Sequence, residues 1–241
     1  MDVMCAEREM AAAACLKGTR HHLYEDSYRL FPRDIPLVRE SGRGEIFAVF
    51  DGIGSAAKGK EAAQAMADIL LEFYQEPGSH ENSASGLYDL LQKGNMLIHQ
   101  WGFKGKSDVP LGGCAGTVIW IYEGTLHLFH AGDTAAALIR DGRAKRLTRE
   151  HQMEDGAIFR YFGLGPALEI ETDDMPVAEF DRVLLVSDGI TKAYSLMEAV
   201  EVVEQYDDIA VGAKALVQRS RTKGCEDDIT ALIVEIEEDE V

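Results

Sequence analysis

Two helix-patterned stretches stand back to back in the first half of this 241-residue chain, and two more stand back to back near its end. Lys60–Tyr74 carries Ala62, Met66, Ile69, Leu70 and Phe73 on one face. Ser85–Trp101 repeats the pattern with Leu87, Leu90, Leu91, Ile98 and Trp101, and Pro77-Gly78 separates the two. The second pair spans Ser195–Glu204 and Asp208–Lys223. Around these helices lie β-rich runs. Glu45–Phe50 reads as a short apolar strand, and Arg182–Ser187 and Ile229–Ile236 as buried strands. Thr117–Tyr122, Thr125–Ala131 and Ala135–Arg140 read as a meander, turning at Glu123-Gly124 and Asp141-Gly142. Residues 150–167 have weak periodicity and several glycines, and read as a surface loop. Helices grouped in pairs exclude an alternating βαβ chain. They predict an α+β layered fold in which antiparallel sheets pack together and helix pairs cover the outside. No repeat or Pro/Ser-rich linker divides the chain, so residues 1–241 read as one domain ending in a solvated acidic tail at 235–241.

Charge narrows the function classes. The chain has 42 Asp+Glu against 24 Lys+Arg, a formal net charge of −18, which excludes nucleic-acid binding by phosphate neutralisation and argues against an anionic membrane surface. Its 46% hydrophobic content excludes disorder. Cys5, Cys15, Cys114 and Cys225 are 10, 99 and 111 residues apart, so there is no CxxC metal knuckle or redox pair. The apolar run Met10–Leu16 follows Glu7, Arg8 and Glu9, unlike a signal peptide, and no stretch approaches the roughly 20 apolar residues of a membrane span. The expectation is a reduced, cytoplasmic protein.

The carboxylates are not randomly placed. Asp51 follows FAVF, Asp133 follows LFHAG, Asp188 follows LLVS, and Asp227-Asp228 precede ITALIV, with Glu25-Asp26 as a fifth site. One Asp at a strand end is an ordinary turn former or helix cap. Five such sites, two followed by glycine and one preceded by it, suggest a cluster to which a ligand can approach closely. Carboxylates that converge take up protons unless a cation sits among them. Hard oxygen donors with no Cys or paired His favour Mg²⁺ or Mn²⁺ over zinc, and two such ions bridged by one Asp could turn a shared water into a nucleophile.

Seven motifs, in order, give this pattern a family. They are YED at Tyr24–Asp26, FAVFDGIGS at Phe47–Ser55, GGCAGT at Gly112–Thr117, HAGDTAAAL at His130–Leu138, LT..H at Leu147–His151, LLVSDGIT at Leu184–Thr191 and EDDIT at Glu226–Thr230. The set covers about residues 18–235 and resembles the metal-dependent protein phosphatases, the protein phosphatase 2C family, in their bacterial stand-alone form. Each motif alone is weak; the ordered set is specific.

The resemblance implies a four-layer αββα sandwich, two antiparallel β-sheets flanked by antiparallel helix pairs, holding two or three Mg²⁺ or Mn²⁺ ions at one edge. By motif position, Asp51 would bridge both metals and place the attacking water, and the Gly52 carbonyl would bind one ion. Asp188 and Asp227 would complete the first site, Glu25 would hold the second with Asp26 beside it, and Asp133 would serve a third, weaker metal. A metal-bridged water would attack the phosphomonoester in line, on a phosphorylated Ser/Thr protein. No nucleic-acid or membrane partner is expected.

The sequence also departs from the family pattern. The phosphate-binding Arg stands four residues before the Glu in most members, a position held here by His21; Arg20, one residue away, and His21 are the candidates. Ile53 replaces the histidine of the DGHG motif, and Asp228 replaces an Asn. Two other readings remain. A family-like module without catalysis is one, and the presence of every motif carboxylate argues against it. Gly54–Lys60 also fits the GxxxxGK of a nucleotide-binding P-loop, but Glu61 follows where Ser or Thr should ligate Mg²⁺. A haloacid dehalogenase motif fails because Val49 stands where its first Asp belongs.

Overall fold

A strand that is apolar on both faces needs cover on both sides, and the arrangement of this chain follows from that requirement. The computed structural model describes residues 3–20, 22–103 and 110–237. In chain order the elements are β1 (Met4–Glu7), β2 (Ala11–Leu16), β3 (Ser27–Phe31), α1 (Pro36–Ser41), β4 (Glu45–Gly52) and α2 (Gly59–Ile69). There follow α3 (Glu72–Gln75), α4 (Ala84–His99), β5 (Cys114–Tyr122), β6 (Thr125–Ala131), β7 (Ala135–Arg140) and β8 (Arg143–Arg146). The last are β9 (Glu171–Pro176), β10 (Arg182–Val186), α5 (Asp188–Thr191), α6 (Leu196–Val203), α7 (Ile209–Thr222) and β11 (Ile229–Glu235).

Every ladder is antiparallel. One sheet runs β1-β2-β11-β10-β7-β8 and the other β3-β4-β5-β6-β9. Alternate residues of each strand face opposite layers. Phe47, Val49, Ile119 and Leu128 of one sheet meet Leu138, Val183, Leu185 and Leu232 of the other. Ile46, Ala48 and Phe50 turn outward onto Met66 of α2 and Leu90 and Leu91 of α4. On the opposite outside, Leu184, Val186, Ala231 and Ile233 pack on Val200 of α6 and Leu216 and Val217 of α7. The result is the expected four-layer α+β sandwich. Each fully buried Leu, Val or Phe contributes about 1.5–3 kcal/mol of transfer free energy.

Local signals behave as read at most termini. Glu123-Gly124 and Asp141-Gly142 both adopt positive φ (48° and 70°, 50° and 68°), the geometry of two-residue hairpin turns. Ser195 caps α6 in a reciprocal capping box with Glu198, and Asp208 caps α7 through the N–H groups of Ala210 and Val211.

Several elements differ from expectation. The helix read over Lys60–Tyr74 breaks after Ile69 and restarts as α3. The break lets Phe73 and Tyr74 turn edge-on to Trp120 and Phe31. The alanine run Ala11–Leu16 is a central strand because β1 and β11 pair with it on either side. Strand β9 (ETDDMP) is mostly exposed and lacks alternation, so only its pairing with β6 makes it a strand. The stretch 150–167 is irregular as expected but partly anchored. Phe162 is buried and exchanges backbone hydrogen bonds of 2.9 and 3.1 Å with Cys114. The P-loop alternative falls here: the surrounding sheet is antiparallel throughout, and Lys60 is exposed on α2. Among the described residues, no helix is long and apolar enough to cross a membrane.

Candidate metal centre

Antiparallel pairing returns the chain repeatedly to the same edge of the sandwich. Phe50 pairs with Ser27 and Gly116, Gly116 with Ala131, and Val186 with both Ala135 and Ala231. One to four residues beyond these pairs lie the acidic sites: Glu25-Asp26 before β3, Asp51 at the end of β4, Asp133 in the crossing from β6 to β7, Asp188 after β10, and Asp227-Asp228 before β11. Glu25, Asp51, Asp133, Asp188, Asp227 and Asp228 line one cleft of about 420 Å³, together with Gly52, Arg20 and Lys192.

Glycines let these turns close on one another. A Cβ at Gly189 would stand 2.0 Å from the carbonyl oxygen of Asp228, and one at Gly52 2.5 Å from the backbone of Gly59. At these two Asp-Gly pairs, Asp51-Gly52 and Asp188-Gly189, the glycine is therefore required by close backbone approach rather than by its φ angle.

The carboxylates crowd. Burial, reinforced by Asp26, Asp188 and Asp133, pushes the Asp51 carboxyl well above the usual range. Burial and then Asp188 raise Asp133 to about 7, and burial raises Asp26 to about 8. Asp188 is also raised by burial, with Lys192 opposing. Burial alone would lower the Lys192 ammonium, but Asp188 and Asp227 outweigh it and raise it. Asp26 lies beneath the cleft rather than among its lining residues. Its Oδ2 accepts from Thr230 at 2.5 Å, while its Oδ1 is buried with no hydrogen-bond partner.

A model of the family described as protein phosphatase 2C matches residues 25–229, most of the chain and every acidic site. The chain belongs to the protein phosphatase 2C family. It is accordingly a metal-dependent serine/threonine protein phosphatase, a phosphomonoester hydrolase that uses Mn²⁺ or Mg²⁺ and acts on phosphoproteins. Among relatives, the "Serine/threonine phosphatase stp" of Listeria innocua is 23% identical over 91% of this chain and 92% of its own length. The "Probable protein phosphatase 2C 62" of Oryza sativa is 26% identical over 91% and 84%. The fold matches the Mycobacterium tuberculosis phosphatase PstP (TM-score 0.77, 22% identity, 95% of this chain and 98% of that one). It also matches Staphylococcus aureus Stp1 (TM-score 0.80, 17% identity, 95% of each). A PstP catalytic domain solved with two manganese ions superposes with a TM-score of 0.78 at 21% identity, over 98% of this chain and 100% of that domain.

The donor set suits the family's metals. Among the described residues, the groups lining the cleft include no Cys or His, and its acidic members are hard oxygen ligands. Protons raised onto Asp26, Asp51 and Asp133 and an orphaned carboxylate oxygen are what a site built for a divalent cation shows in its protein atoms. Another acidic group, Glu72, Glu76 and His80, has ligand atoms within 4.8 Å of one another, but Lys93 already pairs with Glu72 at 2.5 Å.

The structure brings Glu25, Asp51, Gly52, Asp133, Asp188 and Asp227 to the cleft, as motif position implied. Arg20 reaches its rim, Nη1 3.7 Å from Asp227; His21 lies outside the described residues. The extra charge of Asp228 is absorbed locally. Its two oxygens accept the N–H groups of Gly18 (2.5 Å) and Glu25 (2.6 Å), a double acceptor role that Asn could not fill. Two neighbours were not anticipated. Gln152 donates to Asp133, and Lys192 donates to both Asp188 and Asp227. The i,i+4 spacing of Asp188 and Lys192 was a readable signal for the second; nothing in the sequence pointed to Gln152.

Proposed function

We propose that Asp51, the Gly52 carbonyl, Asp188 and Asp227 hold divalent ions of the Mg²⁺/Mn²⁺ kind, that Glu25 and Asp133 complete the set, and that phosphoserine or phosphothreonine in a protein is hydrolysed there. The observation that carries this reading is the convergence of carboxylates from separate strand ends into one cleft, where burial and the neighbouring carboxylates push Asp51 well above the usual carboxylate range. When bound, such ions supply water activation near neutral pH and neutralise the phosphoryl oxygens in the transition state.

The chain's own groups bind and orient. Arg20, exposed at the rim, offers a guanidinium fork to phosphate oxygens. Asp51 accepts the Asp188 N–H at 3.4 Å, which ties two of the ligands together across the two sheets. Gln152 donates to Asp133 and so orients it, and Ile53 and Ile158 supply the apolar part of the lining. In the reaction the water oxygen joins phosphorus, the bond from phosphorus to the side-chain oxygen breaks, and a proton ends on the released serine or threonine. The chain is read as one catalytic domain. Its four cysteines are free, in keeping with a reducing compartment, and the cytoplasm is the proposed location.

The test is hydrolysis of an aryl phosphate and of a phosphothreonine peptide with Mn²⁺, with Mg²⁺ and with chelator. Turnover that needs metal and disappears in Asp51→Asn is expected; turnover persisting in chelator, or undiminished in Asp51→Asn, overturns the proposal.

A further inference from the structure

Arg20 and Lys192 are the cations among the described residues lining the cleft, and they are placed very differently. Arg20 stands at the rim, its side chain 59% exposed and 3.7 Å from Asp227. The Lys192 ammonium sits between two carboxylates, donating to Asp188 Oδ2 and, at 2.7 Å, to Asp227 Oδ2. It is held near them by the backbone. Asp188 opens the four-residue helix α5 and Lys192 closes it, its N–H bonded to the Asp188 carbonyl at 2.8 Å. One short turn therefore carries a cleft carboxylate together with a counter-ion for it.

Both carboxylates are ones assigned above to metal. The ammonium and a divalent ion compete for the same oxygen lone pairs, and a displaced ammonium that remains one turn away still repels the ion. The two are unequal. A single positive charge offsets half of the charge on the carboxylate pair, whereas a divalent ion offsets all of it. The lysine is also free to yield, since its side chain is 44% exposed on a flexible four-carbon stem.

We propose that Lys192 is a built-in competitor for the metal on the Asp188–Asp227 side of the cleft: it holds the two carboxylates together, leaves them when a divalent ion binds, and thereby sets the metal concentration at which the phosphatase is loaded. This rests on the assignment of Asp188 and Asp227 as metal ligands. An ordinary partly exposed ion pair would leave metal affinity nearly unchanged, so the two roles are separable.

The experiment is calorimetric titration of Mn²⁺ into chelator-stripped protein, for the wild type, Lys192→Met, Lys192→Arg and Asp188→Asn, with melting curves in chelator and in saturating Mn²⁺. Removing two charge-assisted hydrogen bonds that compete with the ion should make Lys192→Met bind Mn²⁺ about tenfold more tightly. That variant should melt below the wild type in chelator and together with it in Mn²⁺. Lys192→Arg should keep an affinity within about threefold of wild type, because it keeps the charge. Equal or weaker Mn²⁺ binding by a folded Lys192→Met overturns the proposal, and Lys192→Gln provides the same readout if the Met variant does not fold. If the wild type takes up no Mn²⁺, or Asp188→Asn binds as the wild type does, the ligand assignment itself has failed and this inference falls with it. Wild-type binding that depends on Asp188 but not on Lys192 sinks only the inference.

Discussion

Strands β7 and β10 lie side by side, and their two ends are treated in opposite ways. At one end Asp181, its side chain only 2% exposed, meets Arg140 in a two-pronged pair, Nε to Oδ1 at 2.7 Å and Nη2 to Oδ2 at 2.5 Å. It also accepts the Ala178 N–H at 2.8 Å. At the other end Asp133 precedes β7, Asp188 follows β10, and Asp51 stands with them in the cleft. There Gln152 and Lys192 answer the carboxylates only in part, and burial with mutual repulsion drives Asp51 and Asp133 toward their protonated forms. The same pair of strands thus neutralises a buried carboxylate internally at one end and leaves several under-compensated at the other. Stability explains the first end. The second makes sense only if its charge is met from outside.

The largest expected effect separates the two ends by activity. Asp188→Asn should lower Mn²⁺-dependent kcat on an aryl phosphate by about 10³-fold, since it removes one of the proposed ligands of the ions that carry the chemistry. Arg140→Met, remote from the cleft, should leave kcat within about twofold. Equal losses in both variants would erase the contrast.

Stability should rank the ends the other way. Arg140→Met takes away the charged partner of the buried Asp181 and leaves it the Ala178 N–H, and urea unfolding should report a loss of about 2–3 kcal/mol, below the range for fully buried pairs because Arg140 is 41% exposed. Asp51→Asn in chelator should be neutral or stabilising, because a neutral amide replaces a carboxyl that burial and its acidic neighbours already drive toward the protonated form. A strongly destabilised Asp51→Asn would show that the cleft is compensated after all.

The pH dependence sharpens the same point. Burial raises Asp26 to about 8 and Asp133 to about 7 in the folded protein. Unfolded carboxyls release their protons near pH 3.9, so above about pH 4 the folded state binds more protons than the unfolded one. Stability in chelator should therefore fall as pH rises and level off near pH 8. His130, lowered by burial to about 3, acts in the opposite sense below its unfolded value of about 6.5, which leaves pH 6.5–8 as the clean window. Thermal melts in that window should slope downward in chelator and flatten in saturating Mn²⁺; a chelated protein that gains stability there would contradict the crowding.

The smallest effect tests the seam beside the cleft. Asp228→Asn replaces one acceptor oxygen with an amide that faces a backbone N–H of Gly18 or Glu25. It should cost about 1–2 kcal/mol in urea unfolding. An unchanged midpoint would mean that the two short contacts carry no stability.

Most of the architecture was legible because its signals are local. Strands such as FAVF and VLLV are apolar at every position, turns carry Asp-Gly or Glu-Gly, and Ser195 and Asp208 mark helix starts. The elements that escaped lack such signals. Ala11–Leu16 has no β-propensity beyond its burial, and Glu171–Pro176 is acidic and exposed; each is a strand only because a neighbouring strand pairs with it. The break after Ile69 likewise depends on Trp120 and Phe31, which are distant in sequence.

The candidate site divides in the same way. Its acidic members could be named from motifs, since each Asp sits at the end of an apolar run and the motifs occur in order. Their environment could not. That Asp26 sinks beneath the cleft onto Thr230, that Asp228 becomes a backbone clamp, and that Gln152 attends Asp133 all depend on segments brought together from up to 210 residues apart.

By itself, then, the sequence determined the layers and the chemistry, because hydrophobic periodicity and residue type act within a few positions of the chain. Only the tertiary structure decided how the charges are apportioned. Whether a carboxylate meets an arginine, a backbone N–H, a lysine or another carboxylate is fixed by contacts across the two sheets, and electrostatic energy depends on distance in space rather than on separation along the chain.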